Sequence, residues 1–472
     1  MTASSSSPAV PSPPSRTETA TPTITARATV SVPPNDQRQR APQAPITDTY
    51  NNVRDYGATG DGITDDTPAI QAAIDAVPAT GGTVYFPPGT YLCNLRVGSF
   101  VSVRGAGAAF TVLKSVPGSN RDVIMGKNFM GLTGSTKMTP ETRGDNYLYI
   151  SDLTIDGNKL TNQTGCGIRI WGRSHIWQNL IVQNCPNDGV FTEFTTHDGG
   201  ETQDALEAFF DNIKCIQNGG NGWTHRGPHD SVLRNFVTFG NGGWGFRSEA
   251  AAGAYNGGIA GFSWNSWLNG TGSFFFNASV SLSGATASGP LTGVGIELAG
   301  DAGSDLFTGI LVSGHETGVL LRGTNHTFVG TIQNCHNADD TDGNGMILDG
   351  IGTCSIDVQG VGNHNAIKVI SETGGPSIIR GRFDVPQGRT LVTGSFGAST
   401  TVELGSTGTS ADQIFSRFGG DLSANGVIQL RAYTIASRPP ARQYPGGLIY
   451  VADAAAGGKL QYSDGTKWVA AG

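Results

Sequence analysis

A glycine followed by a large apolar residue recurs through the middle of this chain, and its spacing restricts the fold more than any other feature. The pairs are Gly167-Ile168, Gly189-Val190, Gly222-Trp223, Gly245-Phe246, Gly295-Ile296, Gly318-Val319 and Gly345-Met346, at steps of 22, 33, 23, 50, 23 and 27 residues. A basic period of 22–23 residues with insertions is the signature of coils stacked in a solenoid. Between the pairs lie strand-like runs such as 179–184 and 235–241, closed by Asn or Gly, which accept the left-handed backbone of a sharp corner. With 69 glycines in 472 residues and only 14% charged residues, a turn-rich all-β chain is expected and a long exposed helix is excluded.

The two ends read differently. Residues 1–49 hold no aromatic residue and are rich in Ser, Thr, Pro and Ala, so they are expected to form a disordered arm. Residues 386–472 lose the period; 445–451 and 459–469 read as two short strands of a small β-rich C-terminal module. The N-terminus has no basic start and no apolar core, so no secretory signal is expected. No apolar run approaches eighteen residues, so no membrane span is expected either. Six scattered cysteines without a CxxC pair read as small buried hydrophobes. A net charge of −8 argues against nucleic acid as a partner but leaves room for an acidic glycan held by a local arginine cluster.

The segment that opens the solenoid is sharply patterned. Asn52-Val53-Arg54-Asp55-Tyr56-Gly57-Ala58 leads into Gly60-Asp61-Gly62-Ile63-Thr64-Asp65-Asp66-Thr67, then a helix with Pro68 in its first turn and Ile70, Ala73, Ile74 and Val77 on one face. Gly81-Gly82 ends the helix, and residues 83–91 read as strand, turn and strand. Asp61, Asp65 and Asp66 are assigned to turn and cap chemistry. This stretch resembles the entry motif of the pectate-lyase-like superfamily. The resemblance implies a right-handed parallel β-helix, here over 50–385, with this segment capping one end. The C-terminal strands are similar to modules carried by phage tail-fibre and tailspike proteins.

Side chains alternate faces along a strand, so the second and fourth places after each repeat glycine should face outward. The fourth place holds Trp171, Glu193, Arg226, Glu249, Ala299, Arg322 and Asp349; Arg169 and Arg247 stand in the second. Glu193 and Glu249 are two coils apart, on the order of 9.6 Å between backbones at about 4.8 Å per coil. Side-chain freedom brings them within the roughly 6.5–9.5 Å carboxyl separation of an inverting glycosidase. They are the candidate catalytic pair, with Glu249 expected as acid and Glu193 as base. Arg226, Arg247, Arg169, Trp171, Trp264 and Trp267 are candidate substrate-binding residues. The same column reads equally as a surface Glu-Arg-Glu ladder that offsets cross-strand repulsion. The 33-residue step inserts a segment after Glu193, and the 50-residue step inserts an irregular coil after Glu249, carrying Tyr255, Phe262, Trp264, Trp267 and 274–276 as stacking platforms for sugar rings.

His225, in the third place, should point inward as a core histidine. Gly227-Pro228-His229-Asp230 is loosely similar to the catalytic stretch of alginate epimerases and lyases, with Gly227 where those have Asp; it makes His229 and Asp230 the alternative catalytic pair. Asp340-Thr-Asp342-Gly-Asn344 matches the front of a calcium loop, but Ile351 occupies the place of its bidentate Glu, so a turn is expected. No metal site and no cofactor is expected.

Together these features lead to the expectation of a virion-associated, tailspike-like depolymerase that binds and cleaves a bacterial capsular or exopolysaccharide, hydrolase rather than lyase. The arm would join phage or phage-like particle proteins, the protein acting on the virion or outside the cell after lysis. A parallel homotrimer is expected from the likeness and from outward apolar places such as Phe191, Leu320 and Ile347. A non-catalytic adsorption spike and a bacterial uronic-acid lyase or epimerase remain the alternatives.

Overall fold

The structure, a computed structural model, describes residues 50–129, 144–193, 208–228, 230–249, 258–299, 304–384, 389–397, 399–406, 432–455 and 459–471. The arm, the segment after Glu193, Tyr255 and His229 lie outside the described residues.

The expected parallel β-helix is formed. Two long sheets run its length, sheet 1 with eighteen strands and sheet 2 with twelve among the described residues, every pairing in them parallel. Each full coil contributes a long, bent strand to sheet 1 and a short one to sheet 2, as in Ile176–Gln183 followed by Val190–Glu193. The bend falls on a left-handed residue: Asn179, Asn212 and Asn235 have φ of 56°, 53° and 51°. Asparagine suits this place because its amide also reaches the preceding coil, Asn179 Nδ2 donating to Asp152 Oδ1 at 2.8 Å and Asn212 Nδ2 to Asn179 Oδ1 at 3.0 Å.

The corner before sheet 2 carries a second, buried ladder. Asn241 Oδ1 accepts from both the backbone N and Nδ2 of Asn218, and Asn269 Oδ1 does the same for Asn241. Buried backbone donors are thereby satisfied without water. The repeat glycine has a steric cause. A Cβ on Gly222 would stand 2.4 Å from the Gly245 carbonyl oxygen, and one on Gly245 would stand 2.7 Å from that of Ser273. Ser273 itself occupies the glycine place of the coil formed by Ile259–Trp267 and Gly272–Asn277. The 50-residue step therefore contains one regular coil whose glycine is replaced, not an irregular insertion.

Inside, aromatic rings pack edge-on or tilted within and between coils: Trp177 against Phe210 at 5.0 Å, Phe210 against Trp223 at 4.8 Å, Phe246 against Trp264 at 4.7 Å. All six cysteines are buried and unpaired. At the N-terminal end helix α1 (Thr67–Asp75) buries Ile70, Ala73 and Ile74. Asp66 precedes it but does not cap it with its side chain; its carboxylate accepts from Thr59 N at 2.7 Å and Gly60 N at 3.0 Å, bracing the loop. Asp61 likewise closes a turn through Ile63 N and Thr64 N. Parallel pairing continues to Thr400–Ser406, past the place where the period fades in the sequence. A separate four-stranded sheet joins Ala432–Tyr433, Leu448–Val451, Leu460–Ser463 and Trp468–Ala470, pinned by Trp468 Nε1 donating to Pro439 O at 2.7 Å.

Candidate functional site

The outer face of sheet 2 gathers the charged column. Trp171, Glu193 and Arg226 are register partners on successive strands. Glu249, on the next strand, is gripped from two sides. Arg226 donates to its Oε1 from Nε at 3.0 Å and Nη2 at 2.6 Å, and Arg247 Nε donates to Oε2 at 2.6 Å. Each guanidinium lies over a ring, Arg226 over Phe191 at 5.2 Å and Arg247 over Phe275 at 4.5 Å. Arg169 lies over both Phe129 and Phe191, at 5.7 and 5.8 Å, and pairs with Asp122 at 3.2 Å. The result is a strip of alternating rings and guanidiniums that fixes planar, always-charged donors in place.

The two glutamates ionise differently. Glu193 is 3% exposed, and burial raises its carboxyl above the ordinary range against the pull of Arg226, with Glu249 adding to the rise. Burial also pushes Glu249 up, but the hydrogen bonds and charges of Arg226 and Arg247 outweigh it and hold the group below its ordinary value. The two shifts run opposite to the expected acid and base assignment, Glu193 raised by burial and Glu249 lowered by its two arginines. The reason is that both arginines turn to Glu249, which their positions in the repeat do not reveal.

The tryptophans do not form the expected platforms. Trp264 is fully buried, its Nε1 donating to Leu233 O at 2.8 Å, and Trp171 is 1% exposed. Trp267 is exposed, but on sheet 1, against Phe239 at 5.3 Å. Phe274 and Phe276 are core residues and Phe262 lies on sheet 1 beneath Arg234. Within the aromatic run the cause is shared: it belongs to a regular coil, so alternation sends Trp264, Phe274 and Phe276 inward and leaves Phe262 and Trp267 on sheet 1. Phe275, the outward one, is the residue the sequence reading failed to separate from its neighbours. Its signal is its register with Arg247, readable once Ser273 is recognised in the glycine place.

His225 is a core histidine, hydrogen-bonded to Thr192 Oγ1 at 3.0 Å and pushed down to about 4 by burial. Asp230 stands just before Ser231–Arg234, a strand of sheet 1. Asp340 is paired with Arg389, which fits a turn rather than an ion loop. Further along the strip Arg322 bridges Glu297 at 2.5 Å and Asp349 at 3.5 Å, repeating the acid–arginine–acid theme. Toward the N-terminal end a groove of about 610 Å³ is walled by Arg96, Arg121, Arg169 and Asp122. Of the outward apolar places named for a trimer, Phe191 and Ile347 are half-buried, Phe191 packing against two arginines, and Leu320 is 8% exposed.

Residues 50–271 match the family model described as rhamnogalacturonase A/epimerase, pectate lyase-like. The chain is similar to the mannuronan C5-epimerase AlgE2 of Azotobacter vinelandii, 32% identical over 230 residues, covering 41% of this chain and 22% of that protein. It is also similar to alginate lyase 7 of the same organism, 45% identical over 118 residues, covering 23% of this chain and 13% of that one. The chain thus spans less than a quarter of the length of these curated relatives. The A-module of the Azotobacter vinelandii mannuronan C-5 epimerase AlgE4 shares the fold, with a TM-score of 0.50 at 19% identity over 80% of this chain and all of that module. With its capping segment, its parallel coils and this match, the β-helix over residues 50–271 is similar to the pectate lyase-like family.

Proposed function

We propose that the outer face of sheet 2 binds a bacterial capsular or exopolysaccharide and hydrolyses it, with Glu193 and Glu249 as the working carboxylates. The observation that carries this reading is the placing of two carboxyls on one face with a single arginine between them, Glu193 buried and Glu249 held by Arg226 and Arg247. Glu193, inclined to stay protonated, serves as acid to the leaving oxygen. Glu249 serves as the base that activates water. In the unliganded protein its oxygens are occupied by Arg226 and Arg247, so it becomes basic when the substrate draws those guanidiniums away. A glycan carrying carboxylate or sulfate groups does this, and the arginine-walled groove gives its chain a place to run on.

A second reading, lyase or epimerase chemistry on a uronate, is favoured by the names of the relatives. Incubating the protein with acidic and neutral capsular polysaccharides separates the two. Saturated fragments support hydrolysis, ultraviolet-absorbing unsaturated ends support elimination, and binding without new ends reduces the protein to an adsorption spike. The arm composition and the likeness of the C-terminal strands to tail-fibre modules support carriage on a phage or phage-like particle, with residues 1–49 as the joining segment.

A further inference from the structure

Two buried side chains at the start of neighbouring sheet 1 strands form an arrangement that requires a held proton. Asp305 opens Asp305–Ser313, His326 opens His326–Gln333, and the two are register partners. Both side chains are fully enclosed, and His326 Nδ1 stands 2.8 Å from Asp305 Oδ2. Neither atom meets another hydrogen-bond partner among the described residues. The remaining atoms are committed: Asp305 Oδ1 accepts from Val280 N at 2.7 Å, and His326 Nε2 lies 2.8 Å from the Arg322 carbonyl oxygen.

That carbonyl can only accept, so Nε2 carries a hydrogen. A neutral imidazole then presents a bare Nδ1. A bare nitrogen and an ionised carboxylate oxygen repel at 2.8 Å in a low-dielectric interior, and the gap leaves no room for water between them. The pair therefore holds one proton, on Nδ1 or on Oδ2, beyond those of a carboxylate and a neutral imidazole. Burial raises the Asp305 carboxyl against the pull of His326, which favours Oδ2 as the seat. Of the elements packed around the pair, Val280–Ser288 carries no ionisable side chain. Cys354, beside the His326 backbone, has its thiol raised by burial, with Glu372 beyond it, and Asp357 is exposed on the next strand. Arg322 turns its guanidinium away to Glu297 and Asp349.

We propose that the Asp305–His326 pair is an alkali-sensitive latch: its proton ties two coils of sheet 1 to the strand that carries Arg322, and its loss lets that junction open. An unfolded histidine releases its proton near pH 6.5, whereas the folded pair keeps one as a unit. The contribution is thus complete below about pH 6.5 and is lost as pH rises, by up to about tenfold in the local closing equilibrium for each pH unit.

Asp305→Asn keeps the shape and the contacts without the titrating proton. Its amide oxygen accepts from Val280 N, its nitrogen donates to Nδ1, and Nε2 still donates to the Arg322 carbonyl. Hydrogen exchange read by mass spectrometry on the full chain, corrected for the intrinsic rise of exchange with pH, tests the latch. In the wild type, protection over 305–313 and 326–333 should fall up to about tenfold per unit between about pH 7 and 9, while 149–156 stays level. In Asp305→Asn all three should stay level. No loss in the wild type, or an equal slope in wild type and variant, overturns the proposal. Should Asp305→Asn fail to fold, His326→Gln, which also removes the titrating pair, must show the same levelling, and a slope that persists there overturns it as well.

Discussion

Glu193 and Glu249 have the same side chain and sit two coils apart, yet one is governed by burial and the other by two guanidiniums. Glu193→Gln keeps the shape and removes the proton donor; turnover should fall on the order of a hundredfold, and the alkaline limb of the pH–rate profile should disappear. Glu249→Gln should lose as much while leaving Arg226 and Arg247 free, so affinity for an acidic glycan should rise even as cleavage stops. Measuring binding and turnover in both variants checks the pair. Asp145 offers a separate test, on stability. It is fully buried, and burial raises its carboxyl to about 6. The folded state therefore holds a proton that the unfolded chain has released between about pH 4 and 6, so this group makes the protein less stable as pH rises through that window. Asp145→Asn should remove the loss, raising stability at pH 7 by about 3 kcal/mol with little change at pH 4. Thermal melts at the two pH values measure it.

At the level of coils and strands, the repeat glycine carries the most testable consequence. Gly222→Ala should press a methyl group against the Gly245 carbonyl, costing about 1–3 kcal/mol in a urea titration. Gly240→Ala tests a different cause, since it has room nearby but φ of 63°, and its cost is backbone strain of about 1 kcal/mol. The fold was legible because such constraints repeat: the same clash, the same left-handed corner and the same inward ring recur each coil, and recurrence can be seen without a structure. One missing repeat, Ser273 for Gly, was enough to hide a coil and turn Trp264 from a core ring into an expected platform. The site was less legible because it does not repeat. Which carboxylate two arginines choose depends on side-chain reach, and no column alignment encodes that. Phe191 and Phe275 are ordinary outward residues until the guanidiniums above them are placed.

For the whole molecule, the described core begins at Val53. A chain starting at Asp48 should show the same melting temperature as the full chain and the same turnover, with incorporation into a particle lost. Melting at a lower temperature would mean that the arm supports the coils. The parallel ladders also determine how the protein bears force. Their hydrogen bonds point along the long axis, so a pull on the two ends loads one junction after another in series, and the weakest junction sets the strength of the whole. Among the described residues of sheet 2 that junction lies near the capped end, where Ile168 and Arg169 alone pair with Ile124 and Met125. A push along the same axis instead drives repeat glycines such as Gly222 and Gly245 toward the carbonyl oxygens that already leave no room for a Cβ there. The coils thus form a strut that is stiff in compression and parts in tension close to its cap.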